Sequence, residues 1–349
     1  MTGAESLLAH AGDTSVSWSI VLQARLTHPA DPDKVAQRLA ATTVEHPHLG
    51  LPPDVTPVTE ATLGAVRTLL ADTPYHHGDP LVRVAVGEVE PLLLLAAHHS
   101  AVDGLGLLGL LGRALDVPVA SSVAGLGGDV VETPFARAAA RRLADALLRP
   151  STRIAPSSTV DGSADGDTLV ALRSGDVGLR TSTLTAAVAR TVVSWNRAHR
   201  AENGRIVAGI GASRRAGSAP EPVDASAYLL LPVGQDADAE RIGAELVRAR
   251  VEPNPPATPL ARIAHRVTRP IANRLAATFL VSNVGGVTAA GQVTELAFFP
   301  VASGNSGVAF GAVTAAGTTT VTMRTRRAHV DTVTAAGFLT DVMRHFPGH

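Results

Sequence analysis

The chain has 349 residues, 45% of them apolar, which suits two domains of ordinary size, each with its own core. Its 30 lysines and arginines nearly balance 31 aspartates and glutamates, for a formal charge of -1. Composition therefore offers no electrostatic basis for binding nucleic acid or an anionic membrane, and small molecules or proteins are the expected partners. Cysteine is absent, which removes disulfides, thiolate metal sites and thiol nucleophiles, so a thioester must arrive on a substrate.

The N-terminal stretch lacks the basic region and sustained apolar core of a signal peptide. No apolar run reaches the ~18 residues of a membrane span, and a cytoplasmic protein is expected. Residues 16–26 set Trp18, Ile20, Leu22, Ala24 and Leu26 on one face, with Ser17, Ser19, Gln23 and Arg25 on the other. That is the period-two pattern of a half-buried strand. A helix follows from Asp31-Pro32-Asp33, since proline suits the first turn and carboxylates the positive end of the dipole. Val35, Leu39, Thr42 or Thr43 and Val44 carry its buried stripe, and His46-Pro47-His48-Leu49 ends it. The proline-rich residues 51–58 read as a connector.

Residues 81–86 form a second short strand, entered through Tyr75-His76-His77-Gly78-Asp79-Pro80. Adjacent histidines beside Gly-Asp-Pro mark a solvated turn, and no third ligand lies at zinc-site spacing, so no metal site is expected. This strand pairs with residues 92–97, an apolar run bounded by Pro91 that fits burial on both faces. Residues 105–115 suit a short helix, although each of three glycines costs it about 1 kcal/mol relative to alanine. A further helix over 133–148 has Thr133 as N-cap and Pro134 at its first position, with Phe135, Ala139, Leu143, Ala146 and Leu147 near helical spacing. Residues 149–167 then turn polar without an apolar period and read as a linker, which divides the chain into lobes 1–160 and 161–349.

The second lobe opens with a helix over 183–198. Strands follow at 206–211, leading into Ala212-Ser213-Arg214-Arg215, and at 228–233. Helices are expected at 237–250 and at 260–275, the latter interrupted at Pro270. Phe279-Leu280-Val281 is an apolar strand expected to break at Ser282-Asn283-Val284-Gly285-Gly286. Strands at 293–299, 308–313 and 319–325 precede a closing helix that starts at Asp331 and carries Val333, Ala336, Leu339, Val342, Met343 and Phe346.

The stretch with chemical potential is residues 92–104, L-L-L-L-A-A-H-H-S-A-V-D-G. A buried strand stops at two histidines, and an aspartate and a glycine follow in the loop before the next helix. His98-His99-Ser100-Ala101-Val102-Asp103-Gly104 resembles the H-H-x-x-x-D-G motif of nonribosomal peptide synthetase condensation domains. Relatives of those domains include chloramphenicol acetyltransferase, wax ester synthases and stand-alone acyltransferases of polyketide and lipid pathways. The opening strand, helix and H-P-x-L exit, and the T-L-T-A-A-V-A-R start of the helix at 183, resemble the same superfamily.

The resemblance implies an α/β (α+β) fold of two chloramphenicol acetyltransferase-like lobes, each a mixed sheet with helices, in a V-shaped pseudo-dimer around a central cleft. It implies a stand-alone condensation-like acyltransferase of bacterial secondary metabolism or antibiotic biosynthesis, with no metal and no cofactor. The donor is an acyl thioester of coenzyme A or of an acyl or peptidyl carrier protein, the acceptor is an amine or alcohol, and the product is an amide or ester. A non-catalytic condensation-like module that binds a carrier or partner protein is the competing reading. The chain lacks the D-F-G-W-G sequence of the plant acyltransferase branch, and free and carrier-bound donors both stay open.

His99 is the expected general base, because histidine's unperturbed pKa of about 6.5 lets it take a proton and return it. His98, one residue earlier on an extended chain, points to the opposite side and is assigned to packing or positioning. The resemblance implies that Asp103 pairs with an arginine of the other lobe, and a lone carboxylate buried there is costly. Arg214 and Arg215 are the candidate partners. Gly104 keeps the substrate entry beside His99 clear. Ser282 is a candidate donor to a developing oxyanion, at a strand break similar to that holding a serine in chloramphenicol acetyltransferase. The alternative for this segment is a plain turn. Asn283 and Gly285, in a sequence similar to the N-V-P-G of wax ester synthases, are assigned to substrate binding.

Overall fold

A computed structural model describes residues 16–123, 125–126, 134–157, 165–215, 217, 220–236, 238–253, 277–303 and 305–346. The first half contributes β1 (Ser19–Leu26), α1 (Pro32–Glu45), β2 (Val55–Pro57), α2 (Leu63–Asp72), β3 (Val82–Val86), β4 (Leu92–His98), α3 (Gly104–Leu115), β5 (Ala120–Ser121) and α4 (Phe135–Leu148). The second contributes β6 (Asp167–Gly175), α5 (Thr181–Ala198), β7 (Ile206–Ser213), β8 (Ser226–Val233) and α6 (Ala239–Arg248). It ends with β9 (Phe279–Thr288), β10 (Val293–Phe299), β11 (Val308–Ala315), β12 (Thr318–Arg326) and α7 (Thr332–Met343). The helix expected at 260–275 and the N-cap expected at Thr133 lie outside the described residues.

Two mixed sheets result, in the order β10-β1-β4-β3-β2 and β6-β12-β11-β9-β7-β8, with β5 added to β9. The first is antiparallel except where β2 joins β3, and the second is parallel across β11, β9 and β7. α1 and α3 cover one face of the first sheet and α2 packs on its other face, while α5 and α7 cover one face of the second. The α/β architecture with two mixed sheets follows the sequence expectation. The sheets do not respect a boundary near residue 160, however, because β10 crosses to pair with β1 (Val21 opposite Phe299) and β5 crosses to pair with β9. Close passage makes the exchange possible. A Cβ on Gly311 of β11 would stand 2.0 Å from the Phe298 carbonyl oxygen, so β10 lies against β11 only because that residue has no side chain.

Several local expectations change for packing reasons. β1 is buried on both faces, because Val21 and its neighbours form a third apolar cluster with Leu70 of α2 and Leu169 of β6. Alternation gave the right strand, but Ser19 and Gln23 are buried as well. The elements α2 and β6 fall where no element is expected, and the connector at 51–58 contains the short edge strand β2. Val44 and Val333 are exposed, at the edges of their helices' apolar stripes. On α4, Phe135, Leu143 and Leu147 are exposed while Ala138 and Ala146 are buried. The supposed linker is docked: Ile154 and Ala155 are buried, and the Asn196 side chain bonds both Ala155 N and Arg153 O. β9 does not break at Ser282, since its ladder to β11 continues through Asn283 and Gly286 with one register shift.

Candidate active site

Hydrogen bonding at both ends fixes the loop between β4 and α3. β4 ends at His98, whose carbonyl accepts from both Ala101 N (2.9 Å) and Val102 N (3.3 Å), which turns the chain sharply. The Asp103 carboxylate caps α3 by accepting from Gly106 N at 2.6 Å, so α3 begins at Gly104. Between them, His99 N donates to Trp18 O at 2.8 Å. Trp18 holds a left-handed backbone (φ 54°), a strained state for a bulky residue, immediately before β1.

The two histidines are separated as alternation predicts. The His98 ring is buried (2% exposed), meets Tyr75 edge-on at 5.3 Å, and shares a hydrogen bond of 2.6 Å between Nδ1 and Ser100 Oγ. Burial, then the neighbouring His99 and Arg83 charges, lower its pKa to about 4, so it is neutral across the working range. His99 lines a cavity of about 210 Å³ between the two sheets. Among the described residues, no hydrogen bond engages its ring.

Asp103 is buried (4% exposed) at the seam. Arg215 Nη2 donates to its Oδ1 at 2.8 Å, while Ser213 Oγ (3.3 Å) and Ala225 N (3.2 Å) donate to Oδ2. Arg215 is thus the partner from the second lobe, and it also bonds the carbonyls of Glu221 and Val223. Arg214 instead donates to Ser226 O at 2.6 Å. Gly104 lines the cavity, where a Cβ would press against Phe298 at 3.0 Å and Val284 at 3.1 Å.

Ser282 lines the same cavity from β9, and no hydrogen bond among the described residues engages its hydroxyl. Asn283 also borders the cavity, but its amide is committed to the fold: Nδ2 donates to Leu179 O at 3.0 Å and Oδ1 accepts from Gly285 N at 2.9 Å. Gly285 is not among the cavity's lining residues. Its positive φ of 74° and tight approach to Ser122 and Val123 serve the junction between β5 and β9. The sequence reading missed Trp18, Ser213, Tyr228 and Gly211. For Gly211 a signal existed, since Gly209 and Gly211 alternate on one face of a strand.

The arrangement of the two mixed sheets and their helices is similar to that of solved condensation domains. The starter condensation domain of rhizomide synthetase RzmA, solved as a mutant in complex with C8-CoA and Leu-SNAC, superposes with a TM-score of 0.63 at 12% identity, over 98% of this chain and 90% of that one. The condensation domain of the Monacolin K polyketide synthase MokA gives 0.56 at 11% identity over 98% and 94%. The EpoB cyclization-docking bidomain of Sorangium cellulosum gives 0.58 at 12% over 98% and 83%. An epimerization domain of tyrocidine synthetase B is also similar, at 0.51. No protein-family model and no curated protein matches the chain by sequence. Among the described residues no helix is long and apolar enough to cross a membrane, and no cluster of three or more histidine, aspartate or glutamate side chains is placed to hold a metal.

Proposed function

We propose that the protein is a condensation-type acyltransferase that joins an acyl thioester to an amine or alcohol, with His99 as general base. The observation that carries this reading is the contrast between the two histidines: His98 is sealed into the first lobe as a neutral ring, while His99 opens into the inter-lobe cavity with its backbone pinned. In the step proposed, the acceptor's nitrogen or oxygen attacks the thioester carbonyl as His99 removes its proton. The Ser282 hydroxyl donates to the developing oxyanion. Collapse of the tetrahedral intermediate breaks the carbon–sulfur bond, and the departing sulfur takes the proton back from His99 as a free thiol. The thioester is that of coenzyme A or of a carrier protein's phosphopantetheine. Asp103 borders the cavity, but its carboxylate is committed to Arg215, Ser213, Ala225 and Gly106, so Asp103 and Arg215 hold the loop.

The test is thiol release from a panel of acyl thioesters and amine or alcohol acceptors. General-base assistance is worth about 10²- to 10⁴-fold, so His99→Ala is expected to lower turnover by that factor with the melting temperature unchanged. Near-normal turnover in a folded His99→Ala protein removes the base and leaves positioning as the sole source of rate.

A further inference from the structure

The second sheet is nearly bare where it faces the cavity. Gly211 and Ser213 on β7, Ser226 and Tyr228 on β8, and Leu280 and Ser282 on β9 line it, and Gly209 shares their face two residues before Gly211 on β7, outside the cavity lining. Tyr228 stands opposite Gly211 in the ladder, but its ring leans back over Gly209. A Cβ built on Gly209 falls 2.2 Å from the phenol oxygen, whereas one on Gly211 meets nothing closer than Ser282 Oγ at 3.2 Å. The missing side chain at 209 therefore lets the tyrosine lie along the floor of the sheet, and the missing side chain at 211 keeps a lane open between it and Ser282. Among the described residues the phenol has no hydrogen-bond partner. Burial pushes its pKa up to about 12, so it stays protonated and is available as a donor.

We propose that Tyr228 is a specificity-determining residue of the cavity, its hydroxyl donating to an oxygen that the substrate carries beyond its reacting carbon. A hydrocarbon group in the same place leaves a desolvated donor unpaired, which is how a polar site rejects an analogue lacking the matching atom. The oxygen belongs to the acyl chain or to the acceptor. The names of these two substrates rest on the acyl-transfer reading; the selection itself is a property of binding.

Two matched pairs separate the sources: 3-hydroxybutanoyl against butanoyl thioesters of N-acetylcysteamine, and 3-aminopropanol against butylamine. Dissociation constants are measured by calorimetry for the wild type, Tyr228→Phe, Gly209→Ala and His99→Ala, with circular dichroism to confirm folding. The wild type is expected to favour the oxygenated member of one pair by roughly 5- to 100-fold, the range set by an unpaired buried donor. Tyr228→Phe, which keeps the ring, and Gly209→Ala, which displaces it, both bring the ratio close to one. The pair that discriminates identifies the source of the oxygen. Absence of a preference in both pairs, or a preference that survives Tyr228→Phe, overturns the proposal. His99→Ala is expected to keep the preference. Lost discrimination with His99-dependent turnover therefore sinks the tyrosine proposal alone, and retained discrimination without turnover sinks the acyl-transfer reading alone.

Discussion

Among the described residues, two of the buried charged groups that tie the two lobes together, Asp103 and Arg324, are built into the seam in opposite ways. Beside the cavity the hub is a carboxylate: Asp103 of the first lobe collects donors from Arg215, Ser213 and Ala225 of the second. At the other junction the hub is a cation. Arg324 of β12, fully buried, donates to Asp167 Oδ2 at 2.6 Å within its own lobe, and crosses the seam to Ser19 O, Ser17 Oγ and Ala71 O. A carboxylate accepts from several directions and also caps the helix that begins beside it, so Asp103 couples lobe closure to the shape of the His99 loop. A guanidinium presents a planar fork of donors, so Arg324 ties backbone carbonyls of one lobe to a carboxylate of the other without touching the cavity. One junction shapes the site; the other holds the lobes together.

Removing Arg324 is expected to be the more damaging change. Breaking a buried pair by deleting one partner costs about 3–5 kcal/mol, because the remaining charge is left in a desolvated place. Arg324→Ala strands Asp167 with Arg326 as its remaining cationic partner, at 3.1 Å, and opens a cavity besides. Urea unfolding should show a loss at the top of that range or a protein that does not fold, and Arg324→Lys should not rescue it, since an ammonium cannot reach four acceptors in a fan. A mild loss would mean that the junction is less decisive than its burial suggests.

Asp103→Asn comes next, at about 2–3 kcal/mol, because Arg215 keeps two carbonyl acceptors at 2.7 and 2.6 Å and is not abandoned. Unlike the Arg324 change, it should lower turnover and stability together, since the cap and the loop that carries His99 share the same carboxylate. Unchanged stability with a large loss of rate would instead place Asp103 in the chemistry. His98→Leu should cost about 1–3 kcal/mol, and its signature is a change in acid sensitivity. The buried ring stays neutral down to about pH 4, while in the unfolded chain it titrates near 6.5. Between those values the unfolded state binds the extra proton, so stability present above pH 6.5 is lost as pH falls toward 4. Removing the ring should flatten that part of the profile, as measured by melting temperature against pH. Arg214→Ala is expected to cost less than Asp103→Asn, since the Arg214 guanidinium donates to Ser226 O and not to Asp103. A loss as large as that of Arg215→Ala would show that the two arginines share the junction.

Most individual elements were legible in the sequence, because runs such as residues 92–97, caps such as Asp31 and Asp331, and helical spacing over 183–198 are determined by local physics. The separation of His98 from His99 was legible for the same reason, since neighbours on an extended chain point to opposite sides. The family resemblance also implied an arginine partner for Asp103, but it left Arg214 and Arg215 equivalent. Which of them turns toward the seam depends on where β7 ends against α3, a distance of more than a hundred residues along the chain. The exchange of β10 and β5 between sheets was not legible, because strand pairing depends on contacts far apart in sequence and Gly311 looks like any strand glycine until β10 lies against it. The burial of Ser19 and Gln23 was hidden by the same long-range packing, which covers the second face of β1. So was the Arg324 junction: nothing in T-T-T-V-T-M-R-T-R marks which arginine will be sealed inside. Local pattern fixes what each segment is, while the identity of its neighbours, and hence the cavity and both junctions, is decided when the two lobes close on each other.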